Sequence, residues 1–283
     1  MKSSLALTLA VALLLAACAS AGEATFEATQ APPSATSAPT SSPTLQPTIT
    51  STPEPRESPT PEPVYSYETK PVSFSAQDGL KISGTFFHSQ DDVAVLFVHM
   101  AGNDDSQEDW IPFAKQVAQR GFSALTFDMR CHGGSECRGG SEPGWVTSSW
   151  DMRAAVKFLR NQGFKRIVCV GASMGGRACV TTAFDEELAG LVVISGTASD
   201  DPAKQDLNQM GNPGMPKLFA VSEHDPNLKR TADMQALFES APEPKTFQLL
   251  PGKAHGTEFF KTQSGSNLSA LIYELLYSIR DSV

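Results

Sequence analysis

The chain has 283 residues, 40% hydrophobic and 19% charged, which is enough apolar material for a sizeable core. A net charge of −9 and the lack of any Lys/Arg run argue against nucleic acid as a partner. The composition also excludes collagen-like, coiled-coil, polytopic membrane and disulfide-scaffold classes.

Lys2 supplies a positive charge ahead of Leu5 to Leu15, an uncharged apolar stretch too short to span a bilayer. Residues 1–18 therefore read as an export signal. Its end, Leu15-Ala16-Ala17-Cys18, resembles the lipobox of bacterial lipoproteins. That resemblance implies lipidation of the Cys18 thiol and anchoring to the outer face of a bacterial membrane, at the cell surface or in the periplasm. An ordinary signal with Cys18 incidental is the alternative. Residues 19–63 hold ten of the 20 prolines among Ser, Thr and Ala, and only Phe26, Leu45 and Ile49 as large apolar groups. Such a segment cannot bury a core and is expected to stay disordered. As extended polyproline II, at ~3.1 Å per residue, it would reach at most about 140 Å.

Residues 64–283 form the expected folded domain. Val72–Ser75 and Leu80–Phe86 flank the turn signal Gln77-Asp78-Gly79 and predict a β-hairpin. Val93–Val98 is an apolar strand, followed by a helix on which Trp110, Phe113, Ala114, Val117 and Ala118 share one face. Further strands are expected at Phe122–Phe127, Ile167–Val170, Leu191–Ile194, Lys217–Val221 and Thr246–Leu250. The helices between them are expected to open at Asp151, to cover Arg177–Ala183 and to lie near Leu228–Phe238. Leu268, Leu271, Ile272, Leu275, Leu276 and Ile279 predict a closing amphipathic helix. Apolar strands alternating with helices predict an α/β fold with a mostly parallel sheet covered on both faces.

The strand Ile167–Val170 runs into Gly171-Ala172-Ser173-Met174-Gly175-Gly176. A sharp strand-to-helix turn leaves no room for Cβ atoms two residues either side of the serine, which is why glycine occupies both places. On this motif and its context, the domain resembles the α/β-hydrolase superfamily, near the serine esterases and dienelactone-hydrolase-like proteins. The resemblance implies a Ser173 nucleophile and oxyanion donors at the Met174 amide and, in the loop His99-Met100-Ala101-Gly102, at the Ala101 amide. His99 reads as structural. Asp128-Met129-Arg130-Cys131-His132-Gly133-Gly134-Ser135 matches a further family segment, with Asp128 and Arg130 expected to form a structural ion pair.

A serine nucleophile needs a base, and a carboxylate to orient that base. In the family's chain order only His224 and His255 follow Ser173. His255, in the loop after the last strand, is the expected base, and Asp225, after the penultimate strand, the expected acid. Glu223, Asp200 and Asp201 remain alternatives for that carboxylate. No dinucleotide, Walker A or H-E-x-x-H motif occurs, so neither a cofactor nor a metal is expected. Cys169 and Cys179 read as buried small hydrophobes. Cys131 and Cys137, close together in a polar loop of an exported chain, are a possible disulfide.

The implied function is a monomeric serine hydrolase of small carboxylic esters or lactones. A peptidase or amidase on the same machinery, and a non-catalytic binding module on the same scaffold, are the alternatives. About twenty residues (by count) separate Ile194 from Lys217, too few for a large cap. The substrate pocket is therefore expected to be shallow and walled by loops between Met129 and Ser149, with Trp145 as an apolar wall.

Overall fold

The structure, a computed structural model, describes residues 64–102, 104–138 and 145–282, the Trp145 side chain excepted. The expected signal with Cys18, the tether at 19–63 and the Trp145 wall lie outside the described residues.

Eight strands form one sheet. They are β1 (Glu68–Ser75), β2 (Lys81–His88), β3 (Val93–Val98), β4 (Ser123–Phe127), β5 (Arg166–Ala172), β6 (Gly190–Ile194), β7 (Lys217–Ser222) and β8 (Lys245–Leu250). Their order across the sheet is β1-β2-β4-β3-β5-β6-β7-β8. The opening hairpin β1–β2 is antiparallel, and β2 also runs antiparallel to β4. Every pair from β4 to β8 is parallel. Among the described residues the α-helices are α1 (Ile111–Gln119), α2 (Trp145–Asn161), α3 (Met174–Asp185), α4 (Arg230–Ser240) and α5 (Ser264–Asp281).

Side chains alternate across each strand, so the sheet carries two apolar layers. Ala94, Leu96 and Val98 of β3 face α2 and α3, in a cluster that holds Leu159 and Cys179 and extends to Met234 of α4. Val93, Val95 and Phe97 face the other way, in a cluster with Phe113 of α1 and Leu276 of α5. A parallel sheet covered in this way leaves the turns after its strands free to carry side chains at its carboxyl edge. Between β6 and β7 the chain forms a 3₁₀ turn, Leu207–Gln209, and no helical cap.

Several element boundaries depart from expectation, and two of them move a named residue. α2 begins at Trp145, so Asp151 does not open it; Asp151 sits fully buried within the helix, where Arg130 takes both its oxygens. α4 begins at Arg230, two residues after the expected start at Leu228, which is 97% exposed ahead of it.

Candidate active site

Ser173 stands at the hinge between β5 and α3 with φ 51° and ψ −113°. A left-handed backbone at a non-glycine residue is strained by about 1–3 kcal/mol and persists only where its surroundings impose it. Here they do. A Cβ on Gly171 would run into the carbonyl of Gly175, and a Cβ on Gly175 into the carbonyl oxygens of Val98 and His99. The Ser173 amide still donates to the Ile194 carbonyl at 2.8 Å, extending the β5–β6 ladder by one bond. The serine is partly exposed while both neighbours in sequence are buried.

Cys169 of β5 and Cys179 of α3 are joined in a disulfide, not left as separate small hydrophobes. The helix doubles back over the strand that precedes it and brings the two sulfurs together on the buried face. The bridge thereby closes a short loop around the nucleophile turn. A second disulfide joins Cys131 to Cys137.

Asp225 and His255 come from the turns after β7 and β8. The His255 Nδ1 lies 3.0 and 2.9 Å from the two Asp225 carboxylate oxygens. The Asp225 side chain is sealed from solvent, whereas 20% of the His255 side chain is exposed. Nδ1–H donating to the carboxylate leaves Nε2 as the basic nitrogen. The two turns are laced together: the amides of Glu223 and His224 donate to the carbonyls of Leu250 and Gly252, and the Ser222 hydroxyl donates to the Ala254 carbonyl. Glu258 holds the His255 backbone amide at 3.2 Å, a contact that the sequence signals through its spacing of three residues. The other carboxylates considered are placed elsewhere: Glu223 is exposed, Asp200 pairs with Arg177, and Asp201 accepts from the Ala203 amide at 3.0 Å and lies 4.0 Å from Lys204. His224 is exposed as well.

Met174 opens α3, so its amide is among those that a helix leaves without an intrahelical partner, at the positive end of the dipole. Ala101 lies in the loop after β3, and His99 orients its amide. The His99 Nδ1 donates to the Met100 carbonyl at 2.6 Å, while Nε2 accepts from the Met129 amide at 3.0 Å. In a trans peptide C=O and N–H point oppositely, so the Ala101 N–H is aimed away from the His99 ring. The bond from the Met129 amide needs a neutral imidazole, and burial lowers the His99 pKa to about 4. The Met100 side chain fills the space beside Gly256 that a Cβ there would occupy, next to the base.

The expected Asp128–Arg130 ion pair does not form. Asp128 accepts from the Gln107 amide at 2.8 Å, the Gln107 side chain at 2.9 Å and the Gly134 amide at 2.9 Å. Arg130 instead joins Asp151 at 2.7 Å and Asp78 at 3.0 Å, tying α2 and the hairpin turn to the loop after β4. Its guanidinium holds the Asp78 carboxyl below the ordinary range, whereas burial raises that of Asp151.

Two cavities, of about 650 and 310 Å³, open at the amino-terminal ends of the parallel strands, away from Ser173. A small cleft between α2 and the first turns of α3 adjoins the nucleophile turn. Among the described residues, no cluster of three or more His, Cys, Asp or Glu is placed to hold a metal ion, and no helix is long and apolar enough to cross a membrane.

The family model described as the alpha/beta hydrolase family matches residues 95–272. Comparison with curated proteins finds no match. Among solved structures, an esterase from Pyrococcus furiosus is similar with a TM-score of 0.62 at 20% identity, over 75% of this chain and 93% of its own. A serine hydrolase without a lid from Xanthomonas campestris gives 0.61 at 17% identity, over 78% of this chain and 99% of its own. A serine hydrolase homologue from Coxiella burnetii gives 0.59 at 17%, over 72% and 96%. At such identities these likenesses are of fold alone. On the match to the family model, which spans more than half of its length, the chain belongs to the alpha/beta hydrolase family.

Proposed function

We propose that the domain is a serine hydrolase of small carboxylic esters or lactones, acting through an acyl-enzyme on Ser173. The observation that carries this reading is the pairing of His255 with a sealed Asp225 in the turns after β8 and β7, on the same carboxyl edge of the sheet as the strained, partly exposed Ser173 that follows β5. In the first half-reaction His255 Nε2 takes the Ser173 hydroxyl proton as Oγ bonds to the substrate carbonyl carbon. The carbonyl electron pair moves onto oxygen, where the amides of Met174 and Ala101 would receive it. Collapse of this intermediate breaks the C–O bond, and the imidazolium returns the proton to the departing alkoxide. In the second half-reaction water gives its proton to His255 and its oxygen to the acyl carbon. Ser173 then leaves with that proton, and the carboxylic acid is released. Asp225 keeps Nδ1 protonated throughout and stabilises the imidazolium.

The short β6–β7 connection supports small soluble substrates over long-chain lipids, with no activation at an oil–water interface. The two disulfides support an oxidising location outside the cytoplasm, in keeping with a chain exported and anchored through Cys18. An ester chain-length series tests the substrate reading. We expect kcat/KM to peak at short acyl groups, and a steady rise beyond about ten carbons would overturn it. Mass spectrometry of the mature amino terminus tests the anchor: an unmodified Cys18, or a start beyond it, would remove the lipid.

A further inference from the structure

Met100 lies in the loop after β3, one residue ahead of the Ala101 amide. Its carbonyl belongs to the same peptide plane as that amide and accepts from the His99 Nδ1 at 2.6 Å. One hydrogen bond at the oxygen end leaves the plane free to swing about that bond. The direction of the Ala101 N–H therefore depends also on how the Met100 Cα is held, and its side chain supplies the second hold. Met100 is partly buried and packs against the apolar layer that faces α1 and α5.

A Cβ on Gly256 would run into the Met100 Sδ, and it would stand 3.0 Å from the Met100 Cγ and 3.3 Å from the Ala172 Cβ. The thioether, the base turn and the end of β5 thus converge on one spot. Each is one residue from a working group: Met100 precedes Ala101, Gly256 follows His255, and Ala172 precedes Ser173. Gly256 has φ 55°, a conformation that glycine adopts without penalty, and its lack of a Cβ leaves the space that the sulfur fills. An unbranched thioether suits a gap of this irregular kind. The hydrogen bonds that hold His255 run to Asp225 and Glu258, in the segments after β7 and β8. Those bonds do not reach the loop after β3, whereas the Met100 side chain spans from that loop to the base turn.

Resting on the assignment of Ser173 as nucleophile, we propose that Met100 is a positioning residue: its thioether, wedged against Gly256, sets the oxyanion loop relative to the base turn, so that the Ala101 N–H and the His255 Nε2 serve the same carbonyl. The oxyanion forms only on the way to the transition state. Slack between the two loops is therefore felt in kcat, and ground-state binding is spared.

The test uses the full-length chain with para-nitrophenyl acetate, and complete fluorophosphonate labelling of Ser173 counts the competent sites, so misfolded protein drops out of kcat. Met100→Ala should lower kcat per site by about tenfold or more, with KM within about twofold, since a misplacement near 1 Å can cost about 10²-fold. Met100→Leu, which nearly conserves volume, should recover kcat to within about threefold of wild type. Gly256→Ala should lower kcat per site by about tenfold in the wild-type chain, where its Cβ displaces the sulfur, and by at least about threefold less in Met100→Ala, where the Cβ has room. The strain of alanine at a positive φ is common to both chains and cancels in that comparison. A side chain serving stability alone would change the number of labelled sites and leave kcat per site untouched. Full kcat per site in Met100→Ala, or an equal Gly256→Ala loss in both chains, overturns the proposal. If Met100→Ala yields no labelled sites, Met100→Val takes its place in both comparisons. A wild-type chain whose Ser173 takes no label removes the nucleophile assignment and the proposal with it, whereas labelled sites with no Met100 effect remove the proposal alone.

Discussion

Ser173 and Ser195 directly follow the neighbouring strands β5 and β6, and both carry a positive φ, 51° and 48°. Each donates its amide across to the next strand at 2.8 Å, Ser173 to Ile194 and Ser195 to Ala220. What surrounds them differs. Ser173 is partly exposed, has a helix starting behind it, a disulfide across its turn and a histidine-aligned loop in front. Ser195 is fully buried, its hydroxyl has no partner among the described residues, and Gly196 follows it packed against Gly176. Strain at a strand end is therefore not enough to mark a nucleophile. Access and aligned neighbours decide between the two serines.

The sharpest way to separate these surroundings is through the orienting carboxylate. Asp225→Asn should lower kcat by about 10⁴ through the wrong imidazole tautomer, with folding little changed. Asp200→Asn should leave turnover of uncharged esters within a few-fold. Equal losses in both variants would show that the base is held from the β6 end, on the Ser195 side.

The loop in front of Ser173 can be probed by pH. The folded chain keeps His99 neutral, its pKa lowered from 6.5 to about 4, while the unfolded chain protonates near 6.5. Between those values the unfolded state binds more protons. The stability contributed by neutral His99 is thus full above pH 6.5 and lost as pH falls toward 4, about 3 kcal/mol in all. Urea midpoints should drop across this window, and His99→Gln should flatten the slope. An unchanged slope would mean that the imidazole is not held neutral.

Replacing both Cys169 and Cys179 by Ala should lower unfolding free energy by roughly 2–3 kcal/mol, the value expected for so short a loop. It should also slow acylation of Ser173; a variant as stable as wild type would show that the bridge adds nothing to the turn. The smallest effect lies at the other serine. Ser195→Gly relieves a left-handed backbone and removes an unpaired hydroxyl, so it should stabilise by about 1 kcal/mol with activity retained. A loss of turnover there would give Ser195 a role that its burial argues against.

Much of this was legible in sequence because its causes are local. Strands buried on both faces read as continuous apolar runs, and β3 begins and ends where its apolar letters do. The glycines around Ser173 follow from one crowded turn, and the order of acid and base follows from which strands end beside it. The features that stayed hidden depend on distant partners. Arg130 reaches Asp78 and Asp151, 52 and 21 residues away, so a carboxylate two positions off was the wrong partner to choose. Cys169 and Cys179 meet only because α3 folds back on β5. The role of His99 as an aligner of the Ala101 amide needed the position of the Met129 amide, from another strand end.

Labelling with a fluorophosphonate, followed by peptide mapping of the full-length chain, tests most directly which strand-end serine does the chemistry. The account predicts a single adduct on Ser173, absent in Ser173→Ala, whose kcat falls by about 10⁴ to 10⁶, and none on Ser195. An adduct on Ser195 or any other serine, or undiminished turnover by Ser173→Ala, would contradict it.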